Sequence, residues 1–276
     1  MAHPKNQHYV PKVLLKSFSS KDSFIWTYDK VAKNKNWNVI KKRSINRVAS
    51  ENYFYDQVQN NKDFSFEYEL GKIERETSPL IEKLVLNQNI NSITELEKEK
   101  LSYFVAIQLI RTKFQLNRIK DYVINFEEKT NSFIGIKQDP IDYKMLWFSL
   151  FEAAKEFSMA IKNKVWFLGQ SDKLFYTSDN PVVLQNTINK STIRGTIGLD
   201  SYGIEIYMPL SDSVILCMFC EKLLQNKHGI LNLKKFNSEN ILNVNALQFY
   251  QSERFLFSSS NNFEMIEEII NKQNAI

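Results

Sequence analysis

The pattern of apolar and polar positions divides the chain into three parts. In residues 24–58 the runs FIWTYDK and WNVIKKRSI are strand-like, and the polar residues 33–36 between them predict a turn. Apolar residues recur at helical spacing from about residue 64 to residue 163. From residue 164 the runs VWFL, IEIYMPL and SVILCMFC predict strands, followed by a helix at 237–248, a strand RFLFS and a last helix at 262–272.

Local signals indicate boundaries within the helical part. Pro79 follows Ser78 inside an apolar-periodic stretch, which predicts either a kink or a second helix with Ser78 as its N-cap. Thr94 and Glu97 have capping-box spacing, which predicts that a helix begins there. The pattern at 141–163 predicts one further amphipathic helix.

This order of elements predicts an α+β fold, with a helical middle packed against a mainly antiparallel β-sheet and a small N-terminal β region. No internal repeat and no low-complexity segment is present, and no boundary divides the chain into independent domains. We therefore expect a single domain with an N-terminal arm and hairpin at 1–60, a helical part at 61–163 and a β-rich part at 164–276.

Composition argues against several common function classes. The chain has only 7 Gly, and neither a GxxxxGK nor a GxGxxG motif occurs, which argues against Walker-type nucleotide hydrolysis and common dinucleotide-dependent redox chemistry. The net charge of +5 is compatible with a polyanion partner. Lys41, Lys42 and Arg43 belong to a basic run that predicts contact with a nucleic acid, although such runs are also typical of a solvated hairpin face.

The two cysteines indicate the redox compartment of the protein and do not indicate a catalytic or metal-binding motif. Cys217 and Cys220 form a CxxC, but they lie in a β-like run where a spacing of three directs the side chains to opposite faces. Two buried free thiols are favoured over a redox or zinc motif, which suggests a reducing compartment. No signal peptide and no apolar run long enough to span a bilayer are evident, so we expect a cytoplasmic bacterial-type protein with no membrane contact.

Polar residues on apolar helical faces mark a candidate site. Glu67 and Glu74 are seven residues apart, so on a helix they lie about 20° apart on one stripe that also carries Leu70. Gln108 and Arg111 likewise share a face with apolar neighbours. Buried carboxylates need a cation, a metal or strong donors, so Arg111 either neutralises a glutamate or binds a substrate phosphate.

Two further segments offer polar groups of uncertain role. Asp179 and Asn180 precede Pro181 at the end of a predicted strand, where they form either an Asx turn or a carboxylate presented to a site. His8 belongs to a polar run just before the apolar run LLKSF. It acts either in catalysis or as an anchor for the N-terminal segment.

These residues resemble a known family. The segments QHYVPKVLLKSF, QLIRT, FYTSDNPVV and IYMPLS are similar to the bacterial family called domain of unknown function 4238, with Lys113 where the family has a proline. The resemblance extends from His8 to Ser211. It implies family membership and no established activity.

The leading hypothesis is a metal-dependent phosphodiesterase or nuclease that acts on nucleic acid. A toxin or phage-defence role is expected only from the class of small bacterial proteins, and no residue indicates it. Carboxylate oxygens suit Mg²⁺ or Mn²⁺, a histidine suits a general base or a further ligand, and a guanidinium suits phosphate charge. The predicted metal ligands are Glu67, Glu74 and Asp179; the predicted catalytic residues are His8, Arg111, Gln108 and Asn180; and the predicted substrate contacts are Tyr9, Lys41, Lys42 and Arg43.

Two alternatives use the same residues. In the first, the protein is a non-catalytic module that binds a nucleotide or a nucleic acid, and the polar cluster is a structural ion-pair network. In the second, the pocket hydrolyses or transfers groups on a free nucleotide, with Tyr9, Tyr55 or Tyr176 stacking on the base. The sequence indicates no oligomeric state.

Overall fold

The computed structural model describes residues 5–35, 37–55, 66–134, 140–189, 197–224 and 232–274, and it confirms an α+β fold. The helices are α1 (Lys12–Lys16), α2 (Lys30–Asn34), α3 (Phe66–Asn87), α4 (Glu95–Ile110), α5 (Lys113–Ile134), α6 (Tyr143–Glu152), α7 (Ala154–Lys162), α8 (Ser238–Gln251) and α9 (Glu264–Asn274). The strands are β1 (Asn6–His8), β2 (Phe24–Asp29), β3 (Ile40–Ser44), β4 (Ser50–Asn52), β5 (Val165–Gln170), β6 (Thr177–Ser178), β7 (Val183–Asn186), β8 (Ile204–Pro209), β9 (Val214–Phe219), β10 (Leu233–Lys235) and β11 (Phe255–Ser258).

The strands form three sheets. One has the order β10-β5-β9-β8-β7, one has the order β3-β2-β11-β6, and β1 pairs with β4. Every pair is antiparallel except β10 with β5, as the prediction of a mainly antiparallel arrangement requires. The four-stranded sheet joins N-terminal strands β2 and β3 to β11 near the other end of the chain, so distant parts of the sequence are fixed together.

Two helix boundaries within the helical part differ from those that the sequence pattern predicts. Pro79 lies inside α3, which continues as one helix because Leu80, Ile81 and Leu84 pack into the core beyond it. The hydroxyl of Ser78 donates to the Glu74 carbonyl at 2.8 Å and does not cap a new helix. The predicted single helix at 141–163 is divided into α6 and α7.

The predicted capping box is confirmed, and the predicted hairpin turn is wrong. The Thr94 hydroxyl accepts from the Glu97 N–H at 3.2 Å, and the Glu97 carboxylate accepts from the Thr94 N–H at 2.7 Å. Between β2 and β3 the chain forms α2 in place of a simple turn. The Asp29 carboxylate caps this helix by accepting from Val31 and Ala32.

Helix α4 lies in the middle of the main core. Its buried residues face α7 on one side and α3 on the other, so little of its surface reaches solvent in the C-terminal half. A polar residue near the end of α4 is therefore placed inside the protein, whichever direction it points. None of the helices in the described ranges is both long and apolar enough to cross a membrane.

Candidate functional site

Arg111, the C-cap residue of α4, is only 1% exposed and contacts two of the other three predicted segments. Its Nη1 donates to the Glu74 carboxylate at 2.7 Å, its Nη2 to the His8 carbonyl at 2.5 Å, and its Nε to the Tyr55 hydroxyl at 3.1 Å. The fixed fork of the guanidinium matches these three acceptors. The charge is therefore taken up by protein groups on three sides.

His8 anchors the N-terminal segment. Its carbonyl accepts from Arg111, and its ring Nε2 donates to the Ile45 carbonyl at 3.1 Å. Burial lowers the pKa of His8 below its ordinary value of 6.5, against a smaller opposing effect of the Ile45 carbonyl. The ring is thus neutral near pH 7, and its donor is already used.

Glu67 and Glu74, which share one stripe of α3, both act on the buried Tyr55. Burial raises the pKa of Tyr55 above its ordinary range, and both glutamates add to that rise, while Arg111 opposes it. Glu74 keeps about a quarter of its side chain exposed although it is paired with Arg111. The pair therefore lies at the edge of the cluster.

The side chain of Gln108 binds the backbone of Tyr9 inside the core. The Gln108 amide donates to the Tyr9 carbonyl at 3.0 Å, and its Oε1 has no hydrogen-bond partner among the described residues. The Tyr9 ring is 5% exposed and packs against Phe54 with ring centres 5.2 Å apart. The predicted substrate contact of Tyr9 does not fit this arrangement, because packing against Phe54 in the core removes its ring from solvent.

Asp179 supports backbone amides of a distant segment. One carboxylate oxygen accepts from the Glu253 N–H at 2.8 Å, and the other accepts from Arg254 and Phe255 at 2.7 and 2.8 Å. Burial raises the pKa of Asp179 to about 6, although these three donors favour the ionised form. The side chain thus fixes the start of β11 against the end of β6.

Asn180 ties three elements together. Its Oδ1 accepts from the Thr112 hydroxyl at 3.0 Å, and its Nδ2 donates to the Gln251 carbonyl at 2.9 Å. The preceding Ser178 hydroxyl interacts with the Asn180 backbone and with Gln248. This segment connects α8 with the junction of α4 and α5, and both polar atoms of the Asn180 side chain have protein partners.

The predicted metal triad is not assembled. Asp179 faces the backbone of residues 253–255, whereas Glu74 faces Arg111, so the two carboxylates point to different partners. Across the part of the chain that the structure describes, no three His, Cys, Asp or Glu side chains form a group that could hold a metal ion. The structure therefore does not bring Glu67, Glu74 and Asp179 together around one cation, as the sequence analysis expected.

The tyrosines considered as base clamps are also internal. Tyr55 and Tyr176 are fully buried, and Tyr176 donates from its hydroxyl to the Asn262 carbonyl at 3.1 Å. Because no face of either ring reaches solvent, neither can stack on a nucleotide base in this arrangement.

The predicted basic substrate contacts lie on the surface. Lys41, Lys42 and Arg43 belong to β3, an edge strand of the four-stranded sheet. Both lysines are exposed, and Arg43 is half-buried. Arg43 donates to the Thr27 hydroxyl at 3.3 Å, and its guanidinium lies 5.5 Å from the centre of the Phe255 ring.

A second arginine beside that ring was missed in the sequence. The Arg254 guanidinium lies 4.6 Å from the Phe255 ring centre and pairs with Asp29 through two hydrogen bonds of 2.9 and 2.7 Å. Only the pairing of β2 with β11 brings Arg254 to the basic strand. The adjacent Arg254 and Phe255 in the sequence were the available signal.

The thiols differ from each other. Cys217 in β9 is buried and free, as predicted, and burial raises the pKa of its thiol well above the ordinary value. Cys220 follows the strand and is half-exposed, so the prediction of two buried thiols is wrong for this residue.

Comparison with known proteins identifies a family and no activity. The model of a family described as a protein of unknown function, DUF4238, matches residues 6–262 of the chain. No curated protein and no solved structure matches the chain.

Proposed function

The chain belongs to the DUF4238 family, whose description includes no function, and we propose that this protein binds nucleic acid through the basic strand β3 and the aromatic residues beside it. The proposal starts from the contacts of the motif residues. His8, Arg111, Asp179 and Asn180 direct their polar atoms to other protein groups, several of them backbone amides and carbonyls. A ligand is therefore expected at a surface where charged groups lack such partners.

The observation that carries the proposal is the absence of carboxylate partners along β3. Within the described ranges, no acidic oxygen lies within 4.0 Å of a side-chain nitrogen of Lys41, Lys42 or Arg43, whereas the neighbouring Arg254 is paired with Asp29. Three adjacent cations without counter-ions on an exposed edge attract a phosphate backbone, and release of its counter-ions favours binding.

The charge distribution along the sequence supports the same surface. Residues 12–47 carry ten Lys and Arg against two Asp, a net charge of +8, while the whole chain carries +5. The rest of the chain is therefore net acidic. A positive field concentrated around β2 and β3 orients the protein toward a polyanion from a distance.

Aromatic rings interleave with these cations and favour nucleic acid among polyanions. The Lys42 ammonium lies 5.7 Å from the ring centre of Phe24, which is 41% exposed. Lys35 lies 4.9 Å from the ring centre of Trp37, which is 57% exposed. Exposed rings beside cations provide stacking surfaces for bases, and this stacking is tolerant of sequence.

The test is fluorescence anisotropy with a labelled 20-nucleotide RNA, the matching DNA and a duplex, at several salt concentrations. The variant Lys41→Gln/Lys42→Gln/Arg43→Gln is compared with Lys120→Gln/Lys129→Gln/Lys155→Gln, which removes the same charge elsewhere. We expect the β3 variant to bind at least tenfold more weakly, with a salt slope smaller by about 2, because three phosphate contacts are lost. The control variant should stay within twofold of the wild type.

Two outcomes would overturn the proposal. One is no salt-dependent binding by the wild-type protein, and the other is equal loss of affinity in both variants. The same samples with Mn²⁺ or Mg²⁺ test the nuclease hypothesis. Cleavage by the wild type that Glu74→Gln abolishes would replace the binding proposal by the metal-dependent one.

A further inference from the structure

A separate cavity of about 380 Å³ lies on the face of the five-stranded sheet where α8 begins. Its floor includes Glu205 and Tyr207 of β8, and residues of the first turns of α8 form one side. This volume is at the lower end of the range for small-molecule sites. No residue of the proposed nucleic-acid surface lines it.

Glu205 is the chemical centre of this cavity. Its carboxylate accepts from the Tyr207 hydroxyl at 2.6 Å, from the Gln185 amide at 2.7 Å and from the Thr187 hydroxyl at 2.5 Å. These donors hold both oxygens in one orientation. A carboxylate has about four acceptor positions, so one remains for a further donor.

All three donors of Glu205 are neutral side chains, whereas the buried Asp179 is held by three backbone amides at the start of β11 and lines no part of this cavity. Glu205 is only 6% exposed, and no Lys, Arg or His nitrogen of the described residues lies within 4.0 Å of its carboxylate. Asp29 and Glu74, in contrast, are each paired with an arginine. A buried carboxylate without a cation is costly, and a cationic ligand would supply the missing partner.

Aromatic rings form much of the remaining wall. Phe219 packs edge-on against Phe167 and against Tyr207, with ring centres 5.0 and 5.2 Å apart. Phe236 also lines the cavity, and the Lys234 ammonium lies 5.9 Å from its ring centre. Aromatic faces around a carboxylate favour an organic cation over a hydrated metal ion, since the rings attract positive charge and offer no ligand atoms.

We propose that this cavity binds a small organic cation, with a guanidinium or primary ammonium group as the partner of Glu205. Gln185 and Thr187 orient the carboxylate, and the rings enclose the apolar part of the ligand. Lys234 at the edge of the same cavity favours a ligand whose positive charge is confined to one end. This inference is independent of the proposed nucleic-acid surface.

The probe is butylguanidine, measured by isothermal titration calorimetry against butylurea, a neutral ligand of nearly the same shape. The wild-type protein should bind butylguanidine at least tenfold more tightly than butylurea, because only the guanidinium pairs with Glu205. This comparison needs no variant and therefore does not depend on whether a substitution folds.

Two substitutions then locate the site. Glu205→Gln keeps the shape of the side chain and removes its charge, so the preference for butylguanidine should disappear. Glu128→Gln removes an exposed charge of the same sign from α5, outside the cavity lining, and should change affinity by less than threefold. The proposal is overturned if the wild type binds neither probe at millimolar concentration, if it binds both equally, or if Glu205→Gln retains the preference.

Discussion

The replacement Arg111→Met tests whether the polar cluster is structural. Methionine is similar in length and can occupy the apolar part of the space, but it provides no donor. The substitution therefore removes the hydrogen bonds to Glu74, to the His8 carbonyl and to the Tyr55 hydroxyl together. It also removes one of the two links between the N-terminal segment and the end of α4, and leaves the hydrogen bond from Gln108 to the Tyr9 carbonyl.

The expected loss follows from the burial of each partner. Breaking a buried ion pair by removing one member costs about 3–5 kcal/mol. Glu74 is about one-quarter exposed and regains some hydration, which places the loss near the lower end, while the His8 carbonyl stays buried without its strongest donor. We expect the free energy of unfolding to fall by about 3 kcal/mol, a large part of the roughly 5–15 kcal/mol that stabilises a folded protein.

Urea denaturation followed by circular dichroism measures this loss. With an m-value of about 3 kcal/mol/M for a chain of this size, the midpoint should shift by about 1 M. The matched control is Lys100→Met in the same helix, which breaks the exposed pair of Lys100 with Glu76 and should cost less than about 1 kcal/mol.

A loss below about 1 kcal/mol for Arg111→Met would refute the structural interpretation. It would mean that the contacts of the guanidinium contribute little to the folded state. A catalytic or ligand-binding role of Arg111 would then be the better explanation, particularly if the same variant lost nucleic-acid binding with an unchanged urea midpoint.

Two further predictions use the titrating groups. Because burial lowers the pKa of His8 from 6.5, the unfolded chain binds a proton below that pH while the folded protein does not, so acidification destabilises the wild type. His8→Gln keeps a donor for the Ile45 carbonyl and cannot titrate. The free energy of unfolding of the wild type relative to this variant, measured by urea titration, should therefore fall between pH 7.5 and 5.5. A constant difference across this range would contradict the reasoning. An aromatic disulfide reagent at pH 8 should label Cys220 in the native protein and Cys217 only in urea, because burial raises the pKa of the Cys217 thiol. Rapid labelling of Cys217 in the native Cys220→Ser variant would contradict its buried position.

Features that depend on neighbouring residues in the chain were predictable. Thr94 and Glu97 are three residues apart, and their reciprocal hydrogen bonds need only the local helix geometry, so the start of α4 was found from the sequence. The order of a β region, a helical part and a β-rich part was likewise visible in the apolar periodicity. The α2 helix was missed although its capping residue Asp29 was a local signal.

Features that depend on packing were not predictable. A proline inside an apolar-periodic stretch is compatible with a kink, a break or a continued helix. Helix α3 continues through Pro79 because the residues after it are buried. In the same way, the sequence placed Cys217 and Cys220 in one apolar run, but β9 ends at Phe219 and leaves only Cys217 inside the sheet.

The sequence by itself indicated that Gln108 and Arg111 would be enclosed, because they lie on an apolar helical face. It did not indicate burial of Glu205, and Glu74 keeps about a quarter of its side chain exposed. Only the tertiary structure decided what each buried polar residue contacts. Arg111 meets Glu74 because α4 ends beside α3, and Asp179 meets the amides of 253–255 because β6 pairs with β11. Side-chain burial follows from local periodicity, whereas the partner of a buried charge depends on elements that are distant in the chain.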